Sequence, residues 1–301
     1  MVKLGVPRLG IYSAAIRRFF EEMGVEVVMC PKVTPEIIRP GVMNSSDMMC
    51  YPFKVTLGQQ VWALEHGASD LLMFDTCGLC RFKHYHQIQE HILRNLGYRF
   101  NMHALTMDNF IPKLMEISGA SFEEVMEAMA EMPLMIEKAE RRVYGKNTGS
   151  VKIGIIGEFY TMVERDINFD IVKKLQELEA SVHMSITLSE FVKKAIHLDF
   201  LDKCEEKREA RKLLTQEIGG HGRHSILNTI FYSKLNFDGI IHLLPLSCMP
   251  ESTVEPLVDY VAEKYDIPVY RFPIDENLME VGMRTRIETF VSMLRRKKCR
   301  Y

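Results

Sequence analysis

The chain has 301 residues, 47% of them hydrophobic and 26% charged, with a formal net charge of −2. That length suits two compact domains, and the balance gives neither the basic footprint of a nucleic-acid binder nor an acidic tail. No apolar run is long enough to cross a bilayer, and the start Met1-Val2-Lys3-Leu4-Gly5-Val6-Pro7 is interrupted too soon for a signal peptide, so a cytoplasmic protein without nucleic-acid or membrane partners is expected.

Strand and helix signals alternate from the N-terminus. Val2–Val6 reads as a strand. Ala14–Met23 reads as an amphipathic helix stopped by Gly24, a residue suited to a left-handed helix end. Val25–Cys30 is the next strand. Thr34–Met43 carries Pro35, Pro40 and Gly41 and is expected to be a loop or a broken short helix. Phe53–Glu65 is a helix closed by Gly67, Asp70–Phe74 a short buried strand, and His84–Leu96 a helix closed by Gly97. Such alternation indicates a mostly parallel sheet with helices on both faces.

From Asp108 to Val143 only helix formers occur, with a capping-box start at Ser121-Phe122-Glu123-Glu124. The small, polar stretch Tyr144–Ser150 is the best domain boundary. The alternation then restarts, with strands at Val151–Ile156, Ser181–Ile186, Gly239–Leu244 and Pro268–Phe272. Helices are expected at Asn168–Glu179, over most of Ser189–Gly219, at Val254–Tyr265 and at Met283–Arg296. The expected organisation is an α/β domain over residues 1–107, a helical insert and linker over 108–149, and a second α/β domain over 150–301. The halves share a plan without a convincing internal repeat.

Seven cysteines, an odd number, argue against a disulfide framework. Four sit in unusual contexts: Cys50 in Cys50-Tyr51-Pro52, Cys77 and Cys80 in Cys77-Gly78-Leu79-Cys80-Arg81-Phe82, and Cys248 in Cys248-Met249-Pro250-Glu251. Each lies at or past a strand-like run or in a turn, and loops after strands meet at one edge of an α/β sheet. Thiolates converging there make a soft metal site, with an iron–sulfur cluster as the leading candidate. Taken alone, Cys77-x-x-Cys80 also suits a zinc knuckle or a redox dithiol. Arg81 would offset thiolate charge. Cys204, in a charged helical run, and Cys299, in the basic tail, read as incidental, and Cys30 as a lesser candidate ligand. His221, in Gly219-Gly220-His221-Gly222-Arg223-His224, is a candidate proton donor in a glycine-rich turn. Glu158, just past a strand, is a candidate acid/base group.

Over nearly its whole length the chain resembles the 2-hydroxyacyl-CoA dehydratase component superfamily, and within it the smaller dehydratase-like and double-cubane-cluster proteins. The resemblance rests on Asp47-Met48-Met49-Cys50-Tyr51-Pro52-Phe53-Lys54, Gly78-Leu79-Cys80-Arg81-Phe82-Lys83-His84-Tyr85, Gly157-Glu158-Phe159-Tyr160…Asn168, Pro245-Leu246-Ser247-Cys248-Met249-Pro250 and Thr285-Arg286-Ile287-Glu288-Thr289-Phe290. It implies two flavodoxin-like (Rossmann-like) domains with a cluster at their interface, held by Cys50, Cys80 and Cys248, with Cys77 as a fourth ligand or the mark of a subgroup. The implied cofactor is a 4Fe–4S cluster; a double cubane (8Fe–9S) would need more thiolates, from Cys30 or a partner subunit. The implied partners are an ATP-hydrolysing activator that supplies low-potential electrons and a second subunit, identical or related. The family's Gly-Pro-Cys is Gly-Leu-Cys here and its following Gly is Lys83, which alters the cluster loop. No glycine-rich phosphate loop is present, which assigns ATP to the partner. The expected function is a low-potential reductase- or dehydratase-type iron–sulfur component; the alternative is a non-catalytic electron relay or cluster carrier within a larger complex.

Overall fold

The computed structural model describes residues 2–75, 79–106, 108–145, 149–190 and 203–299. Two compact units divide it, Met1–Glu137 and Lys138–Tyr301. Each is built on a four-stranded, all-parallel sheet flanked by helices, the expected α/β architecture and consistent with two flavodoxin-like domains. Among the described residues no helix is long and apolar enough to cross a membrane.

In the first unit the sheet order is β2-β1-β3-β4, with β1 Lys3–Gly5, β2 Glu26–Val28, β3 Asp70–Phe74 and β4 Asn101–Leu105. β3 is the buried middle, and Leu71 and Leu72 are fully enclosed, as the continuous apolar run of a two-face-covered parallel strand requires. β4 was not legible in the sequence. Its Asn-Met-His-Ala-Leu run is half-exposed and holds two polar residues, and pairing with β3 decides it, for example Leu72 with His103. Asp70 then anchors the edge strand, its Oδ1 lying 2.8 Å from His103 Nε2 and 3.0 Å from Asn101 Nδ2.

The first unit's helices are α1 Ser13–Glu22, α2 Pro35–Met43, α3 Tyr51–Glu65, α4 Tyr85–Asn95 and α5 Phe110–Ser118. α2 overturns the expectation of a broken segment. Pro35 opens it, and it continues through Pro40 and Gly41. The reason is its contact with α3. A Cβ on Gly41 would lie 1.8 Å from Lys54 O, and one on Gly58 would lie 2.1 Å from Ile37 O. Backbone meets backbone at two glycines, so Gly41 is a contact residue rather than a breaker. α3, enclosed on nearly every side, is the axis of this unit. α6, Phe122–Tyr144, begins with the expected capping box: Ser121 N donates to Glu124 Oε2 at 2.7 Å, and Glu124 N donates to Ser121 Oγ at 3.3 Å.

The second unit repeats the order, β6-β5-β7-β8, with β5 Val151–Gly157, β6 Ala180–Met184, β7 Gly239–Pro245 and β8 Val269–Ile274. Its helices are α7 Phe159–Val163, α8 Ile171–Glu177, α9 Cys204–Leu213, α10 Gly222–Lys234, α11 Met249–Lys264 and α12 Glu280–Lys298. The expected helix over 189–219 is realised as α9, which stops at Leu213; residues 191–202 lie outside the described residues. α10 went unforeseen. The expected glycine-rich turn around His221 is present, with Gly219 and Gly220 at positive φ, and it leads directly into α10. α10 and α11 cover one sheet face, with Ile226, Ile230, Val254, Val258 and Val261 packed on Ile156 and Ile240. The ring of Tyr232 lies on bare backbone: a Cβ on Gly154 would fall 2.3 Å from it.

Gly58→Ala is expected to destabilise the first unit by about 2 kcal/mol or more, because the added methyl meets a carbonyl of packed backbone rather than a flexible side chain. Urea denaturation followed by far-ultraviolet circular dichroism measures it; an unchanged midpoint would show that α2 is not seated on α3 as described.

Candidate functional site

The sequence-predicted residues fall at the C-terminal edge of each sheet, and each unit brings some of them together. In the first unit Cys50 immediately precedes α3, with extended backbone (φ −65°, ψ 152°), and Tyr51 and Pro52 are the first two helical residues. Proline suits this position, where the amide has no helical partner and the required φ is its own. Cys-Tyr-Pro is therefore a helix start, not the expected turn. It sets the Cys50 sulfur at the positive end of α3. Cys80 plays the same part before the 3-10 turn Arg81–His84, which runs on into α4.

The two cysteine loops are tied together. Arg81 Nη1 donates to Met48 O at 3.0 Å, so Arg81 braces the loop that carries Cys50. Tyr85, the first residue of α4, places its Oη 2.7 Å from Cys50 Sγ. Its ring stands edge-on to Phe53 at 4.7 Å and tilted against Phe82 at 5.1 Å, and only 1% of the residue is exposed. A buried amide ladder fixes α4 on α3: Gln89 Nε2 donates to Thr56 Oγ1 at 2.8 Å and to Phe53 O at 3.3 Å, and Gln60 Nε2 donates to Gln89 Oε1 at 3.0 Å. Burial and then the neighbouring Cys50 push the Tyr85 pKa far up; Arg81 pulls it down and Cys80 adds to the rise. The phenol keeps its proton and remains a donor. Cys50 is buried and Cys80 half-buried.

In the second unit Glu158 and Cys248 leave neighbouring strands. Gly157, the end of β5, has φ 137°, and a Cβ there would lie 2.2 Å from Leu243 O, so only glycine fits. Glu158 then caps α7. Its Oε1 accepts from Tyr160 N at 2.9 Å, and its Oε2 accepts from Thr161 N and Thr161 Oγ1, both at 2.8 Å. Asn168 clamps the same turn from below, its Nδ2 donating to Thr161 O at 2.8 Å and Met162 O at 2.9 Å. The Gly-Glu-x-Tyr…Asn element is thus one local device that fixes a single carboxyl. Burial raises the pKa of that carboxyl, the three donors oppose the rise, and Glu251 adds to it.

Cys248 follows a tight turn in which Ser247 takes a left-handed φ of 61°. Leu246 N donates to Ile274 O at 2.9 Å and Cys248 N to Pro245 O at 3.0 Å. Cys248 is buried and immediately precedes α11, again with proline in the first turn. Glu251 turns inward from that turn. Its Oε2 accepts from Ser225 Oγ of α10 and from His242 Nε2 of β7, each at 2.8 Å, and all three residues are buried. Glu251 Oε1 and His242 Nδ1 have no hydrogen-bond partner among the described residues. His221 immediately precedes α10, whose first residue, Gly222, lies against α11: a Cβ there would be 2.7 Å from Pro250 O. The starts of α10 and α11 therefore stand side by side, and the His221 ring lies 5.8 Å from that of Phe159, the neighbour of Glu158.

Cys50, Cys80 and Arg81 thus share the edge of the first unit, and Glu158, His221 and Cys248 the edge of the second. Cys77 lies outside the described residues. Among the described residues no three His, Cys, Asp or Glu side chains stand grouped as ligands for a metal ion. The donors of the first unit nevertheless suit a thiolate-bound metal group: two sulfurs at helix starts, with a phenol and a guanidinium beside them. Tyr85, Gln89, His242 and Glu251 were missed. Tyr85 and Glu251 stand inside the motifs that carry the cysteines, and His242 interrupts the apolar run Gly-Ile-Ile-His-Leu-Leu.

Residues 4–73 match a family model described as CoA enzyme activase uncharacterised domain. The matched stretch runs from β1 into β3 and includes Cys50, but it covers less than a quarter of the chain. No curated protein matches the chain.

Glu251→Ala is expected to cost about 3 kcal/mol, because two buried donors lose their acceptor, and Ser225→Ala about 1 kcal/mol. Equilibrium denaturation decides it; equal, negligible losses would mean that Glu251 does not anchor α11. The Glu158 carboxyl is expected to titrate above the ordinary glutamate range in 13C-detected titration. Its folded-state pKa lies above the unfolded value, so its contribution to stability is complete below the unfolded pKa and is lost as pH rises through the folded one. Glu158→Gln should accordingly flatten the decline of stability across that window, and an unaltered slope would contradict the assignment.

Proposed function

We propose that this chain is an iron–sulfur component of a CoA-enzyme system, receiving electrons from an ATP-hydrolysing activator. The observation that carries the proposal is the joined pair of cysteine loops in the first unit, Cys50 and Cys80 at two helix starts with Tyr85 and Arg81 beside them. The family match supports the system, naming its activase side rather than a dehydratase component, and it includes Cys50. Cys248, at the start of α11 on the edge of the second unit, and Cys77 of the Cys-x-x-Cys pair are the further sulfurs proposed as ligands.

The roles of the chain's own residues follow from their positions. Thiolates at helix N-termini are stabilised by the unpaired amides and the helix dipole, and Arg81 offsets part of their charge. A 4Fe–4S group bound there would supply a reversible one-electron site at low potential; a double cubane would require sulfurs beyond these four. Glu158, whose carboxyl holds its proton above the usual range, and His221 beside Phe159 are the groups proposed to move protons at the edge of the second unit. ATP binding is assigned to the activator, and a second subunit, identical or related, to the assembly.

The test is anaerobic reconstitution with iron and sulfide, followed by metal analysis and absorption spectroscopy. Cys50→Ser, Cys80→Ser and Cys248→Ser should each lose most of the bound iron, whereas Cys204→Ser and Cys299→Ser, at exposed positions, should keep it. Iron retained in the first three variants, or a colourless protein that binds zinc alone, would refute the proposal.

A further inference from the structure

Tyr85 belongs to no role assigned so far, yet its placement is among the most constrained on the first unit's edge. We infer that Tyr85 is a positioning residue acting through Cys50: its phenol donates a hydrogen bond to the Cys50 sulfur and thereby raises the reduction potential of the metal group that Cys50 ligates. The inference rests on the iron–sulfur reading above and deepens it.

Four observations carry it. The Oη–Sγ separation is 2.7 Å, and a sulfur bound to metal can only accept, so the hydroxyl is the donor. With 1% of Tyr85 exposed, water does not compete for that proton, and a buried hydroxyl must find a partner. The ring cannot swing away, because Phe53 and Phe82 pack against it at 4.7 Å and 5.1 Å. The helix that carries it cannot slide, because Gln89 bridges to Thr56, to Phe53 O and to Gln60. α3 supplies the sulfur, α4 supplies the phenol, and the amide ladder sets the distance between them.

The direction of the effect follows from charge. Reduction adds an electron to a group whose sulfurs already carry negative charge. A donor aimed at one sulfur stabilises the more negative state, and hydrogen bonds to the sulfurs are among the factors that set the potential of such groups. Arg81 acts in the same sense on the neighbouring loop, but it spends one donor on Met48 O and so serves the backbone as well. Tyr85 has Cys50 as its hydrogen-bond partner.

Tyr85→Phe keeps the ring and its packing and deletes only the donor. The experiment compares reconstituted wild-type protein, Tyr85→Phe, and the control Tyr98→Phe, which removes an exposed phenol that donates to Glu65 in the same unit. Iron content, midpoint potential by anaerobic titration, and deuteron coupling in pulsed electron paramagnetic resonance of the reduced protein in D2O are measured for each. The expected result is wild-type iron content in both variants, a midpoint potential shifted to more negative values in Tyr85→Phe alone, and loss from that variant of one strongly coupled exchangeable deuteron. An unchanged potential with the coupling retained, at wild-type iron content, would overturn the inference while leaving the iron–sulfur reading intact. Wild-type protein that takes up no iron would instead overturn the reading on which it rests.

Discussion

A parallel sheet is possible only if each strand is followed by a crossover, and the helix that makes the crossover starts where the strand ends. Every such helix therefore points its positive end at the same edge of the sheet. That constraint governs both units. Cys80 and Cys248 follow the strand at the centre of their sheets and open the next helix. Glu158 follows β5 and opens α7. Residues that gain from a helix start, thiolate or carboxylate, are gathered at one edge by topology before any side chain packs.

The two sheet orders are the same, and with them the places of the site residues. Cys80 after β3 corresponds to Cys248 after β7. Cys50 starts the helix that leads back into β3, and His221 starts the helix that leads back into β7. The second unit thus has an imidazole where the first has a thiol. Each unit also has a buried polar network below its edge: Gln60, Gln89 and Thr56 between α3 and α4 in the first, and Ser225 of α10, Glu251 of α11 and His242 of β7 in the second. Such networks are costly unless satisfied and leave little freedom when they are, which suits supports for a site that must hold its geometry.

Much of this was legible in the sequence, because apolar runs closed by Gly24, Gly67 and Gly97 mark helices and strands through local chemistry. The odd contexts of Cys50 and Cys248 were visible too, read as turns rather than as the helix starts they are. What stayed hidden depends on partners distant in the chain. β4 is a strand because β3 is beside it. α2 survives Pro40 and Gly41 because α3 needs a bare backbone to lie against. α10 begins at a glycine because Pro250 O is its neighbour, and the turn that precedes it gives no sign of the helix that follows. Tyr85 and Glu251 sat inside recognised motifs, but only the fold shows that one meets Cys50 and the other His242.

The proposed function stands or falls with iron on the sulfurs of Cys50 and Cys80. Diffraction at the iron absorption edge, from crystals of anaerobically prepared protein, tests it without reliance on activity, partner or colour. The expected result is anomalous scattering from iron bonded to both sulfurs, with Tyr85 Oη still directed at Cys50. Iron-free thiols at that edge in protein that has been offered iron and sulfide, or scattering from zinc in their place, would contradict it.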